Sequence, residues 1–173
     1  MGFIIMEKIY AQVGNEKFAI PDEEAALIIA TQEEYEAGAM GRAIAKKHIE
    51  IDQMRDRMIA RGVAYIFPGD VVGTIQLRSE VDIRNVTSRV TKALMLAMAN
   101  DTVTAMPFRD QEDETHMLTG PEIVAMGNAV ENWIEGHYIA AWGHKENLKD
   151  VEGEAVKTIA DIEDYDISAG WPE

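Results

Sequence analysis

The sequence contains no cysteine, which excludes thiol nucleophiles, disulfides and zinc–thiolate centres. Basic residues are scarce: 16 Lys and Arg stand against 31 Asp and Glu, a formal net charge of −15. A surface of that balance repels phosphates and anionic membranes. No basic cluster interleaved with aromatics occurs, so no nucleic-acid partner is expected. No apolar run reaches the roughly 18 residues of a membrane span. The opening MGFIIMEK has neither the basic start nor the apolar length of a secretory signal, so membrane insertion is not expected and a cytosolic place of synthesis fits. Phosphate loops, GxSxG elbows and dinucleotide fingerprints are all missing. Acids are so numerous that paired carboxylates are uninformative without geometry. No catalytic residue, metal or cofactor is expected.

The 173 residues, 47% of them hydrophobic, suffice for one domain with a sizeable core. Ile9 to Ile20 reads as a weak hairpin turning at Gly14-Asn15, and Asp22 as the N-cap of a helical region from Glu23 to about Arg61. Gly38 and Gly41 are expected to break or bend that helix. Gly62 stops it in the manner of a C′ glycine. VAYIF and TIQL then read as strands around PGDVVG, and Ser79 or Asp82 starts a helix with Val86, Val90, Ala93, Leu94 and Ala97 on one face. Two further short strands flank DQEDE. Thr119 and Pro121 open a long helix with an apolar face of Ile123, Met126, Val130, Trp133, His137, Ala141 and Leu148. The expected fold is α+β, predominantly helical, with three longer helices and two small β-hairpins. Its expected parts are an N-terminal hairpin and helix start (1–45), an α+β domain (46–149) and an acidic C-terminal arm (150–173), where a short helix through Val156 and Ile159 is expected.

Three groups of residues stand out. Met40, Ile44, Ile51, Met54 and Met58 form a heptad-like seam that Lys47 interrupts; a stripe this narrow suits pairing with another helix, in a second copy or in the chain itself. Arg78, Asp82 and Asn85, spaced by four and three, fall on one side of a helix. They read as a clasp between hairpin and helix, or else as a partner site. The arm holds Ile162, Tyr165, Ile167 and Trp171, with Trp171 a suitable anchor either on the chain's own domain or on a partner. His137 and His144 lie seven apart without an HExxH motif, which suits hydrogen-bonded histidines beside a core. DQEDE lacks the central glycine of a calcium loop and reads as a solvated acidic turn.

Three stretches in this order, RDRMIARGVAYIF, IQLRSEVDIRNV and MPFRDQEDETHMLTGPEIVAMGNAV, resemble a phage and prophage family, domain-of-unknown-function family 4376. The resemblance covers about Lys46 to Lys149, at matching positions Arg55, Asp56, Arg57, Gly62, Arg78, Asp82, Asn85, Phe108, Leu118 and Glu122. Phe108 stands where many members carry Trp. Members typically sit in tail-fibre regions of phage genomes, alone or appended to tail-fibre or fibre-assembly proteins. The resemblance thus implies a tail-associated protein that acts by binding, in tail-fibre assembly or as a tail component. Phage tail or tail-fibre proteins would be its partners, with homo-oligomers open, in the host cytoplasm or the virion tail. It implies no catalytic residues. The alternative is a host-surface-binding or polysaccharide-degrading accessory protein.

Overall fold

Apolar spacing along the chain alternates between helical and strand periods, and the backbone follows it. The computed structural model describes residues 10–13, 16–149 and 158–173. In chain order these form β1 (Tyr10–Val13), β2 (Glu16–Ala19), α1 (Asp22–Ala60), β3 (Val63–Phe67), β4 (Val71–Ile75), α2 (Glu80–Met98), β5 (Met106–Arg109), β6 (Thr115–Leu118), α3 (Gly120–Glu146) and α4 (Ile159–Glu163). The fold is α+β and mostly helical, with three long helices. The strands form separate antiparallel pairs, β1–β2, β3–β4 and β5–β6. The first pair is the N-terminal hairpin expected within Ile9 to Ile20; its expected turn, Gly14-Asn15, lies outside the described residues. Val156 lies outside the described residues, while Ile159 begins α4 as expected.

Two-stranded pairs are marginal alone, so β3–β4 and β5–β6 bury one face each. In β3, Val63 and Phe67 point inward while Ala64 and Ile66 face solvent, the period of two that a half-buried strand requires. These side chains meet Ile75, Val86, Phe108, Leu118, Ile123 and Met126 in the first core. α2 and α3 close it, approaching where a Cβ on Gly127 would stand 2.5 Å from Val90 Cγ2.

Side-chain caps set the helix starts. Ser79 is the N-cap of α2, and its N–H and hydroxyl both donate to Asp82 Oδ2, at 2.9 and 3.0 Å. Thr119 repeats the arrangement with Glu122 at 2.7 and 2.6 Å. Such boxes satisfy N–H groups that have no partner within the helix. Two expectations about α1 need correcting. Pro21, not Asp22, occupies its N-cap, and its carbonyl accepts from the Ala25 N–H at 2.9 Å. The helix also runs unbroken through Gly38 and Gly41; each glycine costs only about 1 kcal/mol, too little to interrupt a continuing backbone ladder.

The DQEDE turn is more than solvated charge, a third correction. Asp110 is buried and accepts from His116 Nε2 at 2.8 Å and from the Glu114 N–H at 2.8 Å. The Gln111 N–H donates to the Thr74 carbonyl, and the Thr74 N–H donates to Glu112 Oε2, each at 2.9 Å. The acidic turn therefore bolts β5–β6 to β3–β4. Gly73 leaves the space: a Cβ there would sit 2.6 Å from Asp110 Oδ2.

Gly62 is required twice over. Its φ is +82°, and a Cβ would lie 2.5 Å from the Ile75 carbonyl oxygen. Gly62→Ala is expected to cost about 2–3 kcal/mol, read as a lower urea midpoint at unchanged m-value.

Candidate interaction surfaces

The seam of α1 packs within the chain. Ile51 and Met58 are buried with Ala141, Leu148, Ile162 and Trp171, and Met40, Ile44, Met54, Tyr165 and Ile167 pack around them. Seam and arm, each a candidate for binding a partner, thus cover each other, with α3 as the third wall. The physical reason lies in Lys47. Its charge interrupts the stripe, yet the side chain is buried because its Nζ donates to the Glu163 carbonyl at 2.8 Å and the Tyr165 carbonyl at 3.5 Å, beside Glu50 at 3.0 Å. Those carbonyls lie at the end of α4, where a helix leaves acceptors free and favours a cation.

Aromatic groups finish this second core. Trp171 Nε1 donates to the Ile167 carbonyl at 2.7 Å, and its ring lies over His144 at a centroid distance of 5.1 Å. His144 Nδ1 meets the Tyr165 hydroxyl at 3.0 Å. His137 is fully buried, with Nδ1 2.7 Å from the Trp133 carbonyl and its ring against Trp133. Its Nδ1 therefore carries the proton, and the histidines sit beside the core as hydrogen-bonded groups. Among the described residues no group of three His, Asp or Glu is placed to hold a metal.

The three residues Arg78, Asp82 and Asn85 separate into different roles. Asp82 Oδ1 accepts from Gln76 Nε2 at 3.1 Å, just beyond β4, while Oδ2 serves the Ser79 cap. Asp82 is thus the clasp between hairpin and helix. Arg78 reaches it only through Gln76 Oε1. Asn85 takes no part and lines an open groove of about 630 Å³ with Ser88, Arg89, Lys92 and β5. At its floor Arg89 donates to the Pro107 carbonyl and lies over the Phe108 ring. Proline has no N–H, so Pro107 is a non-hydrogen-bonded partner of Met117 and its carbonyl points out to Arg89.

Arg55 ties α1 to α3. Its guanidinium lies 4.4 Å over the Tyr138 ring and 2.8 Å from Asp52 Oδ1, which also accepts from Lys145 at 2.7 Å. Sequence reasoning missed Lys47 and Gln76. The signal for Lys47 was its place in an apolar stripe; Gln76, a neutral residue between strand and cap, gave none.

Exposed apolar side chains occur in several places, including Ile66 and Val72 on β3–β4 and Ile139 and Trp142 on α3. On the N-terminal half of α1, Leu27 and Tyr35 are 67% and 70% exposed; toward the end of α2, Met95 and Met98 are 64% and 86% exposed. A second groove of about 560 Å³ lies between α2 and α3, with apolar walls and Glu131 and Glu135 at its rim. No helix among the described residues is long and apolar enough to cross a membrane.

A family model described as Domain of unknown function (DUF4376) matches residues 42–169. The match runs past Asp150 to include α4 and the strand of chain that follows it, further than the sequence resemblance reached. No curated protein and no solved structure matches the chain.

Three variants test these assignments. Asp82→Ala is expected to lose about 1–2 kcal/mol in denaturant unfolding, as a cap and a cross-link go together. Lys47→Met is expected to cost about 1–3 kcal/mol by stranding buried carbonyls, and proteolysis should then cleave near α4 first. Asp110 adds a pH signature. Burial raises its pKa, but hydrogen bonds from His116 and the Glu114 N–H outweigh burial and hold it below the ordinary 3.8. A depressed folded-state value contributes stability that is present above the unfolded value and lost as pH falls through the folded one. Asp110→Asn is therefore less stable near neutral pH, and its deficit shrinks on acidification below about pH 4.

Proposed function

Because the chain belongs to the DUF4376 family, we propose that it acts by binding, as a bacteriophage tail-associated protein, in tail-fibre assembly or as a tail component. The observation that carries a binding role is the N-terminal half of α1. Helix α1 has 39 residues, about 58 Å at 1.5 Å per residue. Its second half is sheathed by α3 and the arm, whereas Leu27, Ile28 and Tyr35 on its first half face solvent. A rod anchored at one end with apolar groups at the other is a handle for another protein.

The tail assignment rests on the family resemblance. The matching positions are largely structural: Gly62 turns the chain, Asp82 and Glu122 cap helices, Arg55 joins α1 to α3, and Phe108 and Leu118 fill the core. A family signature made of scaffold residues suits a protein whose working surface varies with its partner. In this reading the chain works in the host cytoplasm during assembly, and persists in the tail if it is a structural component.

The test is recovery of the tagged full chain during phage production, with mass spectrometry of purified particles. Presence in the particle identifies a tail component. Binding to a tail-fibre polypeptide in lysate without presence in the particle identifies an assembly factor, and Leu27→Asp should then reduce that binding at least about tenfold. If neither result is obtained, the proposal fails.

A further inference from the structure

The charge of this acidic chain is unevenly laid out. From Asp22 to Gly41, the first half of α1 carries acids and no Lys or Arg. In α2, from Ile83 to Met98, the reverse holds: Arg84, Arg89 and Lys92 occur and no acid does. Each stretch also has exposed apolar side chains, Leu27, Ile28 and Tyr35 on α1, Met95 and Met98 on α2. Within one chain the two faces are not partners, because the packing neighbours of α1 are α3 and α4.

We infer that these faces bind each other between copies, the N-terminal half of α1 from one chain lying along the exposed face of α2 in the next. Three features carry this. First, the charges are complementary, whereas pairing α1 with α1 would set Glu33 and Glu34 against their own kind, and the nearby Arg42 is stacked over Tyr35 of its own helix. Second, the spacings agree. Leu27 and Glu34 are about 10 Å apart along α1, and Met98 and Lys92 about 9 Å apart along α2. Run antiparallel, Leu27 meets Met98, and Lys92, about 120° round α2 from Met98, reaches Glu34 from the flank. Third, Lys92 has no ion-pair or hydrogen-bond partner among the described residues, so its charge is available.

Two different faces make a heterologous contact, which propagates from copy to copy into a ring or an open filament. This inference uses the same Leu27 face of α1 as the proposed binding role but not the tail assignment, so the oligomeric state tests it separately from recovery of a tail-fibre polypeptide.

The absence of cysteine makes the test clean. Full-length Leu27→Cys and Met98→Cys chains are mixed under mild oxidation. The expected result is a disulfide-linked dimer from the mixture and little from either chain alone, since a disulfide needs Cα atoms within about 7 Å. In parallel, sedimentation of the unmodified chain is expected to show association that grows with concentration and weakens in high salt. Glu34→Lys and Lys92→Glu should each weaken it about tenfold or more, and mixing the two reversed chains should restore it. All four positions are exposed, so unchanged unfolding midpoints confirm that the variants fold. A strict monomer at every concentration and salt overturns the inference. So does a Leu27→Cys homodimer, which marks symmetric α1 pairing, or association indifferent to both charge reversals.

Discussion

The carboxy-terminal part of this molecule depends on one ammonium group. α4 has five residues, far fewer than an isolated helix needs to persist in water. The carbonyl of its last residue, Glu163, and that of Tyr165 just beyond it receive the Lys47 Nζ, so the segment is fixed by a cation on a helix more than a hundred residues earlier in sequence. Once it is fixed, Ile162 and Trp171 close over Ile51 and Met58, and the apolar seam of α1 is covered. Lys47 alone among apolar neighbours would be costly to bury; the free end of α4 supplies the oxygens that offset that cost. Each element makes the other tolerable.

α3 joins the two cores. Ile123, Met126 and Val130 on its first half belong to the hairpin core, and Ala141 on its second half to the arm core. Arg55, Asp52 and Lys145 strap α3 to α1 along the second half. Several of the acids are structural: Asp82, Glu122 and Asp161 each complete a capping box, Asp110 holds its own turn through His116, and Glu112 reaches across to β4.

Elements whose evidence is local were legible in the sequence. The helices over 80–98 and 120–146 follow from their caps and apolar period, and both central hairpins from strand-like runs around turn residues. The apolar face read for α3 is the one that is buried, down to His137. What escaped was pairing at a distance. Nothing in the spacing of Met40 to Met58 tells whether a seam faces another chain or a segment more than a hundred positions on; the arbiter is the Lys47 contact, which exists only in three dimensions. Asp82 was legible as a clasp because its cap is local, while Asn85, equally well spaced, points to an open groove. Periodicity gives the side of a helix, and only the fold says what covers that side.

Pro107 has a consequence for the crowded setting in which any copy of this chain folds. A two-stranded sheet has both outer edges free, and a free edge is a template on which a neighbouring chain can add a strand. On the outer edge of β5, Pro107 offers no donor and its acceptor is held by Arg89. A strand arriving there finds a gap in the ladder where it would need to begin, flanked by a bulky guanidinium. On this edge the β5–β6 hairpin thus resists runaway β-addition through one missing hydrogen and one occupied oxygen.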